Sequence, residues 1–222
     1  MQRRIIQTAD GSASLELPNK QETYHSRHGA VQESEHVFIG NGLKKLEGLA
    51  KLSILEIGWG TGLNSLLTLH HVVPTQNLAY SAIETDPLEW DQVIQLNYCT
   101  GQLGYLSEKF AQMHQLPWNE WQVIAPNFQF QKLPFSLQDV VLENGAFNLV
   151  YFDAFGPRTQ PELWEPWVWE KMHAVMKDNG VLVTYCAKGQ VRRDMQAAGF
   201  SVERLEGAPG KREMLRALKM NS

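Results

Sequence analysis

Short apolar runs alternate along this chain with longer segments in which apolar residues recur every three or four positions. The runs LSILEI, LAYSAI, NLVYF and VLVTYC are nearly continuous, which is typical of strands buried on both faces of a sheet. The segments PELWEPWVWEKMHAVMK and QVRRDMQAA have the period of a helix instead. The alternation predicts an α/β fold in which helices cover both faces of a mostly parallel sheet.

Turn signals at the two ends of the chain predict two hairpins. Near the start, IIQT and SLEL flank ADGSA, and Asp-Gly between β-prone runs is a hairpin signal. Near the end, FSVERL and EMLRAL flank the turn GAPGKR and supply one antiparallel strand. With FQF counted as a further strand, we predict a seven-stranded sheet in a Rossmann-like domain over residues 41–222. Residues 1–40 are predicted to form the N-terminal hairpin and a lid segment.

Capping residues set the expected ends of three helices. Asp86 is predicted to be an N-cap, with Pro87 at the first helical position. The polar segment after the first hairpin is predicted to run into a helix that ends near Leu49. The helix that begins at PELW is expected to stop at Asn179-Gly180.

Three glycines stand at alternate positions directly after the first long strand. Gly58, Gly60 and Gly62 allow a sharp turn and the close approach of a ligand. Dinucleotide sites prefer G-x-G-x-x-G, and here Leu63 stands where the last of those glycines would be. Glu84 ends the next strand, 22 residues after Gly62, which suits a carboxylate that accepts hydrogen bonds from ribose hydroxyls. The pattern favours a nucleoside over a pyrophosphate.

An acidic residue, Glu56, comes immediately before the glycine run. It would repel a pyrophosphate, and it suits a ligand with positive charge, such as a sulfonium that also carries an amino group. S-adenosylmethionine is such a ligand. The E-x-G-x-G-x-G run after an apolar strand resembles the first motif of the S-adenosylmethionine-dependent methyltransferases, and Glu84 matches their ribose-binding acid.

A third strand ends in DAFGP, which begins with Asp153. Methyltransferases of planar amines use Asp or Asn followed by Pro-Pro and an aromatic, and those with a covalent cysteine use Pro-Cys, so neither pattern matches. A carboxylate beside an aromatic suits an aliphatic amine, whose pKa near about 10.4 keeps it protonated at neutral pH. Freeing that proton across ~3 pH units costs roughly 4 kcal/mol. Asp153 is therefore predicted to orient the amine and guide its proton to water, while a turn or helix-cap role stays open.

Four sequence blocks in order carry a more specific resemblance. YHSRHGAVQESEHVFI, EIGWGTGLN, FDAFGP with the following PELW, and GKREML resemble the tRNA 5-methylaminomethyl-2-thiouridine methyltransferases. These form the methyltransferase half of the bifunctional MnmC proteins and their stand-alone relatives. The resemblance runs from about Tyr24 to Leu215. It implies direct methyl transfer from S-adenosylmethionine to the exocyclic amine of 5-aminomethyl-2-thiouridine at the tRNA wobble position.

The resemblance also implies a role for each matching residue. The implied cofactor-binding residues are Glu56, Gly58, Gly60, Thr61, Gly62, Asn64 and Glu84. Asp153 would be the catalytic acid or base. The implied substrate-binding residues are Tyr24, Ser26, Gly29 and Glu33 in a lid, Phe155 and Pro157 around the pocket, and Lys211 and Arg212 near the anticodon loop.

The chain departs from the family pattern at two places. Family members place an acid after the third strand to bind adenine, whereas FQFQKLPFSL offers Gln131 and Lys132, with Asp139 further on. The adenine contact is therefore unassigned. The second glycine fingerprint of the fused flavin-dependent oxidoreductase domain is not found, so we expect this chain only to methylate.

Composition and charge limit the partners, metals and cellular locations that the sequence predicts. The net charge is −4, yet the segment from Lys188 onward carries eight Lys or Arg against four acids, which suits a polyanion such as RNA or an ordinary solvated surface. Two cysteines without a CxxC pattern, and His25, His28 and His36 without matching ligands, predict no metal. No run of about 18 apolar residues or secretory signal is seen, so we expect no membrane partner and a cytoplasmic location.

Two alternative functions stay open: a methyltransferase of another aliphatic amine, and a nucleotide- or RNA-binding module without catalysis.

Overall fold

The computed structural model describes residues 2–221, whose strands form two sheets. The small sheet is antiparallel and consists of β1 (Arg4–Gln7), β2 (Ala13–Leu17) and β3 (Glu22–Thr23). The large sheet consists of β4 (Lys51–Ile57), β5 (Asn77–Ile83), β6 (Gln122–Ala125), β7 (Phe128–Leu133), β8 (Phe147–Phe152), β9 (Met176–Thr184), β10 (Phe200–Glu206) and β11 (Glu213–Lys219). Its spatial order is β10-β11-β9-β8-β4-β5-β7-β6.

The large sheet is mostly parallel and is centred on β4. This strand pairs in parallel with β5 on one side and β8 on the other, and β7 and β9 continue the parallel arrangement outward. β11 runs antiparallel to β9 and β10, as the sequence predicts for the closing hairpin. The strand order reverses at β4, so the carboxyl ends of β4, β5 and β8 form the crevice where ligands bind in such sheets.

Helices cover both faces of the large sheet, as predicted. They are α1 (Ala30–Ser34), which continues as a π-helical turn over Glu35–Gly40, α2 (Leu63–His71), α3 (Trp90–Val93), α4 (Ser107–Gln115), α5 (Pro166–Val175) and α6 (Gly189–Ala197). Successive strand residues point to opposite faces: Ile54 and Tyr151 join the core under α2 and α4, whereas Leu55 and Val150 join the core under α5 and α6. None of the described helices is both long and apolar enough to cross a membrane.

The structure corrects the predicted strand count in both sheets. The large sheet has eight strands, because β6 turns through Pro126 and Asn127 and pairs antiparallel with β7, with a register shift between Val123 and Ala125. The four-residue run QVIA is too short for its period to stand out in the sequence. The predicted N-terminal hairpin forms, and β3 pairs with β2 to make it a three-stranded sheet.

Three predicted helix boundaries were wrong. The helix expected to begin at Asp86 begins at Trp90, after the N-cap Glu89. Arg3 donates hydrogen bonds to the carbonyls of Asp86 and Pro87, which a helix from Pro87 would need for its own N–H groups. The other two helices end early. The helix expected to end near Leu49 stops before a separate 3₁₀ turn over Leu43–Leu46. The helix expected to stop at Asn179-Gly180 ends at Val175, because the next residue already pairs with β8.

Candidate active site

The glycine loop after β4 brings bare backbone to the crevice. Gly58, Gly60 and Gly62 all have positive φ, at 85°, 52° and 75°. A Cβ at Gly58 would lie 2.7 Å from the carbonyl oxygen of Asp153, so the β4 and β8 ends approach closely only because that side chain is missing. The N–H groups of residues 58 and 59 both donate to the Ile83 carbonyl at 3.1 Å, which ties the loop to the end of β5.

Glu84 follows β5 and lines the same cleft. Its Oε2 accepts a hydrogen bond from the N–H of Gly60 at 2.8 Å, and its Oε1 accepts one from the N–H of Asp86 at 2.8 Å. The carboxylate is therefore fixed at the cleft wall with lone pairs left over for hydroxyl donors.

Two carboxylates at the base of the cleft share one amide: Asp153 lines the cleft, whereas Glu56 is fully buried beneath the lining residue Asn64, and we call these three residues the acidic floor. Asn64, in the first turn of α2, donates through Nδ2 to Glu56 Oε1 and to Asp153 Oδ2, at 2.8 Å each. The hydroxyl of Tyr80 donates to the second oxygen of Glu56 at 2.8 Å. The Asn64 Oδ1 atom is buried and has no hydrogen-bond partner among the described residues. The floor therefore keeps an unused acceptor next to two acids.

Both carboxyl groups of the acidic floor have a raised pKa. Burial raises the pKa of Glu56 to about 8, although its hydrogen bonds from Asn64 and Tyr80 act in the opposite direction. Burial also raises the pKa of Asp153 well above its ordinary value, and the nearby charges of Glu33 and Glu56 add to the shift. Such a floor favours a cationic ligand, because a positive charge restores both carboxylates to the ionised form.

The segment after β3 closes over the glycine loop. The ring of Tyr24 contacts Phe155 edge to face, with centroids 4.9 Å apart, and both rings line the cleft. The Tyr24 hydroxyl accepts a hydrogen bond from Arg3 Nε at 2.8 Å, and Arg3 also forms an ion pair with Asp86 at 2.9 Å. His25 Nε2 lies 3.4 Å from the Thr61 hydroxyl, and burial lowers the pKa of His25 to about 4, so this ring is neutral.

Within the described part of the chain, the other predicted substrate-binding residues do not line the cleft. Glu33 is buried, accepts a hydrogen bond from the N–H of Ser26 at 2.7 Å, and forms an ion pair with Lys211. The Lys211 ammonium lies 3.9 Å from the ring centroid of Tyr185, which lines the cleft. Gly29 is the N-cap of α1, where a Cβ would meet the Asp10 carboxylate at 2.6 Å. Pro157 follows Phe155 in the loop after β8, and Arg212 is exposed at the tip of the closing hairpin.

The cleft includes residues that the sequence interpretation missed. Ser136, Leu137 and Gln138 line it from the loop after β7, and Tyr185 lines it from the end of β9. Asp139 does not line the cleft among the described residues; its carboxylate accepts a hydrogen bond from Ser136 Oγ at 2.6 Å. Each missed residue follows the carboxyl end of a parallel strand, which is the signal that could have identified it.

A glycine loop, a ribose-type acid and an acidic floor at the switch point of this sheet define a nucleoside-binding α/β enzyme. The family model of the S-adenosyl-L-methionine-dependent methyltransferases matches residues 106–220, and the chain belongs to this family. The crystal structure of MNMC2 from Aquifex aeolicus matches with a TM-score of 0.82 and 25% identity, over 97% of this chain and 70% of that chain. Spermidine synthase from Thermotoga maritima has a TM-score of 0.54 at 14% identity, over 97% of this chain and 73% of that chain, which shows the fold alone.

Curated relatives confirm the resemblance predicted from the motifs. The tRNA 5-methylaminomethyl-2-thiouridine biosynthesis bifunctional protein MnmC of Ralstonia nicotianae is 29% identical over 87% of this chain and 31% of its own length. The MnmC protein of Aromatoleum aromaticum is 31% identical over 88% of this chain and 32% of its own length. The chain thus spans about a third of the length of these relatives.

The cleft residues fit the family's cofactor, S-adenosyl-L-methionine. The glycine loop leaves room for a ligand against the backbone, the buried Asn64 Oδ1 can accept from an ammonium, and Glu84 can accept from ribose hydroxyls. Within the described part of the chain, no three His, Cys, Asp or Glu side chains are grouped so as to hold a metal ion.

Proposed function

We propose that this protein methylates the exocyclic amine of 5-aminomethyl-(2-thio)uridine at the wobble position of tRNA, giving the 5-methylaminomethyl product. The proposal depends mainly on the position of Asp153. This residue lies beside the glycine loop, is bonded to Asn64, and lines the cleft together with the Tyr24 and Phe155 rings. The relatives named for tRNA 5-methylaminomethyl-2-thiouridine biosynthesis support this choice of acceptor. A tRNA substrate also implies that the protein acts in the cytoplasm.

In the proposed reaction, each group of residues at the cleft has a separate role. When bound, S-adenosyl-L-methionine supplies an electrophilic methyl group on a sulfonium. Gly58, Gly60, Thr61 and Gly62 would hold the cofactor with backbone and hydroxyl groups, and Glu84 would accept from its ribose. Asn64, with Glu56 buried behind it, would face its positive charge. Asp153 would accept a hydrogen bond from the substrate ammonium, take its proton, and pass that proton to water. The freed nitrogen lone pair would then form the N–C bond as the sulfonium S–C bond breaks, with S-adenosylhomocysteine as the leaving group.

Residues 1–40 act as the lid in this proposal. Tyr24 and His25 cover the glycine loop, and Arg3 fastens the small sheet to the loop after β5 through Tyr24 and Asp86. On the other side, Glu33 is joined to the closing hairpin through Lys211. The lid limits the access of bulk water to the cleft, which strengthens the hydrogen bonds that orient the amine.

The edge of the sheet that carries Asp153 is also rich in cations. β8, β9 and β10 all end at this edge, so the segments that follow them meet there. These segments contribute Arg158, Lys188, Arg192, Arg193 and Arg212, which we call the basic rim. A wobble base sits in a loop and can unstack into a pocket, while its neighbouring phosphates need cations of this kind.

Labelled S-adenosyl-L-methionine and three acceptors test the proposal. We expect methyl transfer to tRNA carrying the aminomethyl group, and none to fully modified tRNA or to small aliphatic amines. Transfer to small amines alone would show a metabolite methyltransferase, and tRNA binding without transfer would show a non-catalytic module; either result would refute the proposal.

Cofactor binding is expected to release protons and to strengthen as the pH rises. The pKa of Glu56 is raised to about 8, so this group is mostly protonated at pH 7 until a cation arrives. Because only the carboxylate attracts the cation, affinity should rise about tenfold or more from pH 6 to pH 8 and then level off. Titration calorimetry in buffers of different ionisation enthalpy measures both effects. In Glu56→Gln the remaining pH dependence should be that of Asp153 alone, and an unchanged profile in this variant would contradict the assignment.

The basic rim predicts a salt-dependent effect on tRNA binding. Lys188→Ala with Arg193→Ala should weaken tRNA binding and reduce the slope of log affinity against log salt by about two units. Lys44→Ala with Lys45→Ala is the matched control, because these exposed lysines lie in the turn leading to the start of β4, at the opposite edge. Equal losses in the two double variants would show that only net charge matters. Filter binding at several salt concentrations decides between these outcomes.

A further inference from the structure

Lys132 is a buried lysine that the proposed chemistry does not use. It lies on β7 with 2% of its surface exposed, on the same strand face as Phe128 and Phe130. Its Nζ donates a hydrogen bond to the carbonyl of His114 at 2.6 Å. The ammonium also lies 4.7 Å from the ring centroid of Trp118 and 5.4 Å from that of Trp59.

A buried ammonium needs compensation, and the surroundings of Lys132 provide it. His114 is in the last turn of α4, where main-chain carbonyls lack partners within the helix and carry the negative end of its dipole. Two indole faces add attraction for the cation. Burial still lowers the pKa of Lys132 to about 8, so the arrangement keeps a cost that an apolar side chain would avoid.

The residues that Lys132 touches pack against the glycine loop, and one of them, Trp59, also lines the cleft. The Trp59 ring packs on the His114 ring with centroids 4.5 Å apart, and its Nε1 donates to Ser65 Oγ at 2.9 Å. The His114 Nε2–H donates to the Thr61 carbonyl at 3.2 Å. A Cβ at Gly62 would lie 3.0 Å from the same His114 nitrogen, so the loop rests directly on this ring.

We propose that Lys132 is a positioning residue for the cofactor: it fixes His114 and Trp59, and through them it fixes the backbone of the glycine loop. The proposal rests on the cofactor of the family and is independent of the tRNA substrate. Lys132 does not line the cleft, whereas Trp59 and Thr61 do, so its effect must pass through the Trp59 ring, the His114 ring and the Thr61 carbonyl. Removing the ammonium should therefore loosen the loop while leaving the reacting groups intact.

Lys132→Met tests the proposal, because methionine keeps an unbranched apolar stem and removes the ammonium. We expect the dissociation constant of S-adenosylhomocysteine, measured by calorimetry, to rise about tenfold. The matched control is Lys109→Met: Lys109 is a half-buried lysine of α4 that donates to the carbonyl of Ile124, away from the glycine loop. This control should keep its affinity within about twofold. Equal losses in both variants, or no loss in Lys132→Met, would overturn the proposal.

A second variant and a kinetic measurement distinguish a positioning role of Lys132 from a general loss of structure. His114→Phe keeps a ring against Trp59 and removes the donor to Thr61, so it should weaken cofactor binding in the same way even if Lys132→Met folds poorly. With aminomethylated tRNA as acceptor, both variants should raise KM for the cofactor and keep kcat within about twofold. A fall in kcat at unchanged KM would contradict a positioning role. If tRNA proves not to be the acceptor, the calorimetric comparison still decides this inference.

Discussion

Asp153→Asn should lower the rate of methyl transfer by about 10²- to 10⁴-fold while the dissociation constant of the cofactor stays within several-fold. The asparagine keeps the size of the side chain and its contact with Asn64, and it cannot accept the proton of the substrate ammonium. Single-turnover transfer to aminomethylated tRNA gives the rate, and calorimetry gives the affinity. Unchanged turnover would remove Asp153 from the mechanism.

Stability measurements separate this loss from misfolding. The pKa of Asp153 is raised in the fold, so this group costs the folded protein stability as the pH rises from the ordinary pKa of an aspartate to the raised one. The neutral asparagine lacks this penalty, and the Tm of the variant at pH 8 should equal or exceed that of the parent. Glu162→Gln is the matched control for charge, because Glu162 lines the same cleft and is exposed. This control should keep its turnover.

Gly58→Ala should weaken cofactor binding by about 100-fold or more, because a displacement of about 1 Å in such a loop is enough for that loss. The added Cβ would lie 2.7 Å from the carbonyl oxygen and 3.1 Å from the carbonyl carbon of Asp153. Both are main-chain atoms, so no side-chain rotation relieves the contact. The positive φ of 85° adds strain of about 1–2 kcal/mol for a residue with a Cβ.

Gly145→Ala separates the strain from the contact. Gly145 has a similar φ of 64°, and a Cβ there would have no neighbour within 4 Å. This variant should lose only about 1–2 kcal/mol of stability and bind S-adenosylhomocysteine like the parent. Equal affinities of the two variants would show that the approach of the β4 and β8 ends has no role in the site.

The sequence carries enough information for the part of the site that follows from strand ends. Continuous apolar runs mark the buried strands, and parallel strands end at one edge, which is why Glu84 and Asp153 could be placed around one cleft, with Glu56 buried next to it through Asn64. Tyr185 obeys the same rule after β9 and was missed only because an aromatic residue at a strand end looks like core. Lys132 was also readable, since a period of two puts it in phase with Phe128 and Phe130.

Contacts between distant parts of the chain lie outside what local patterns can predict. The start of α3 depends on Arg3, more than 80 positions away, which takes the carbonyls that the predicted helix would have needed. Gly29 is predicted from the sequence only as a lid residue, and no local pattern shows that the Asp10 carboxylate packed against it leaves no room for a Cβ. Lys211, expected near the anticodon loop, is paired with Glu33, a partner that no spacing rule indicates.

The single amide of Asn64 is bonded to Glu56 on one side and to Asp153 on the other, so it connects the residues that we propose for the donor side and the acceptor side of the reaction. A donor molecule that settles the charge of Glu56 changes the field at Asp153, so the basicity of the acceptor side depends on occupancy of the donor side. By thermodynamic reciprocity, a bound acceptor must then tighten the donor by the same factor. We therefore expect the amine to bind more weakly to the empty cleft than to the cofactor-bound protein, with Asn64 as the side chain that links the two.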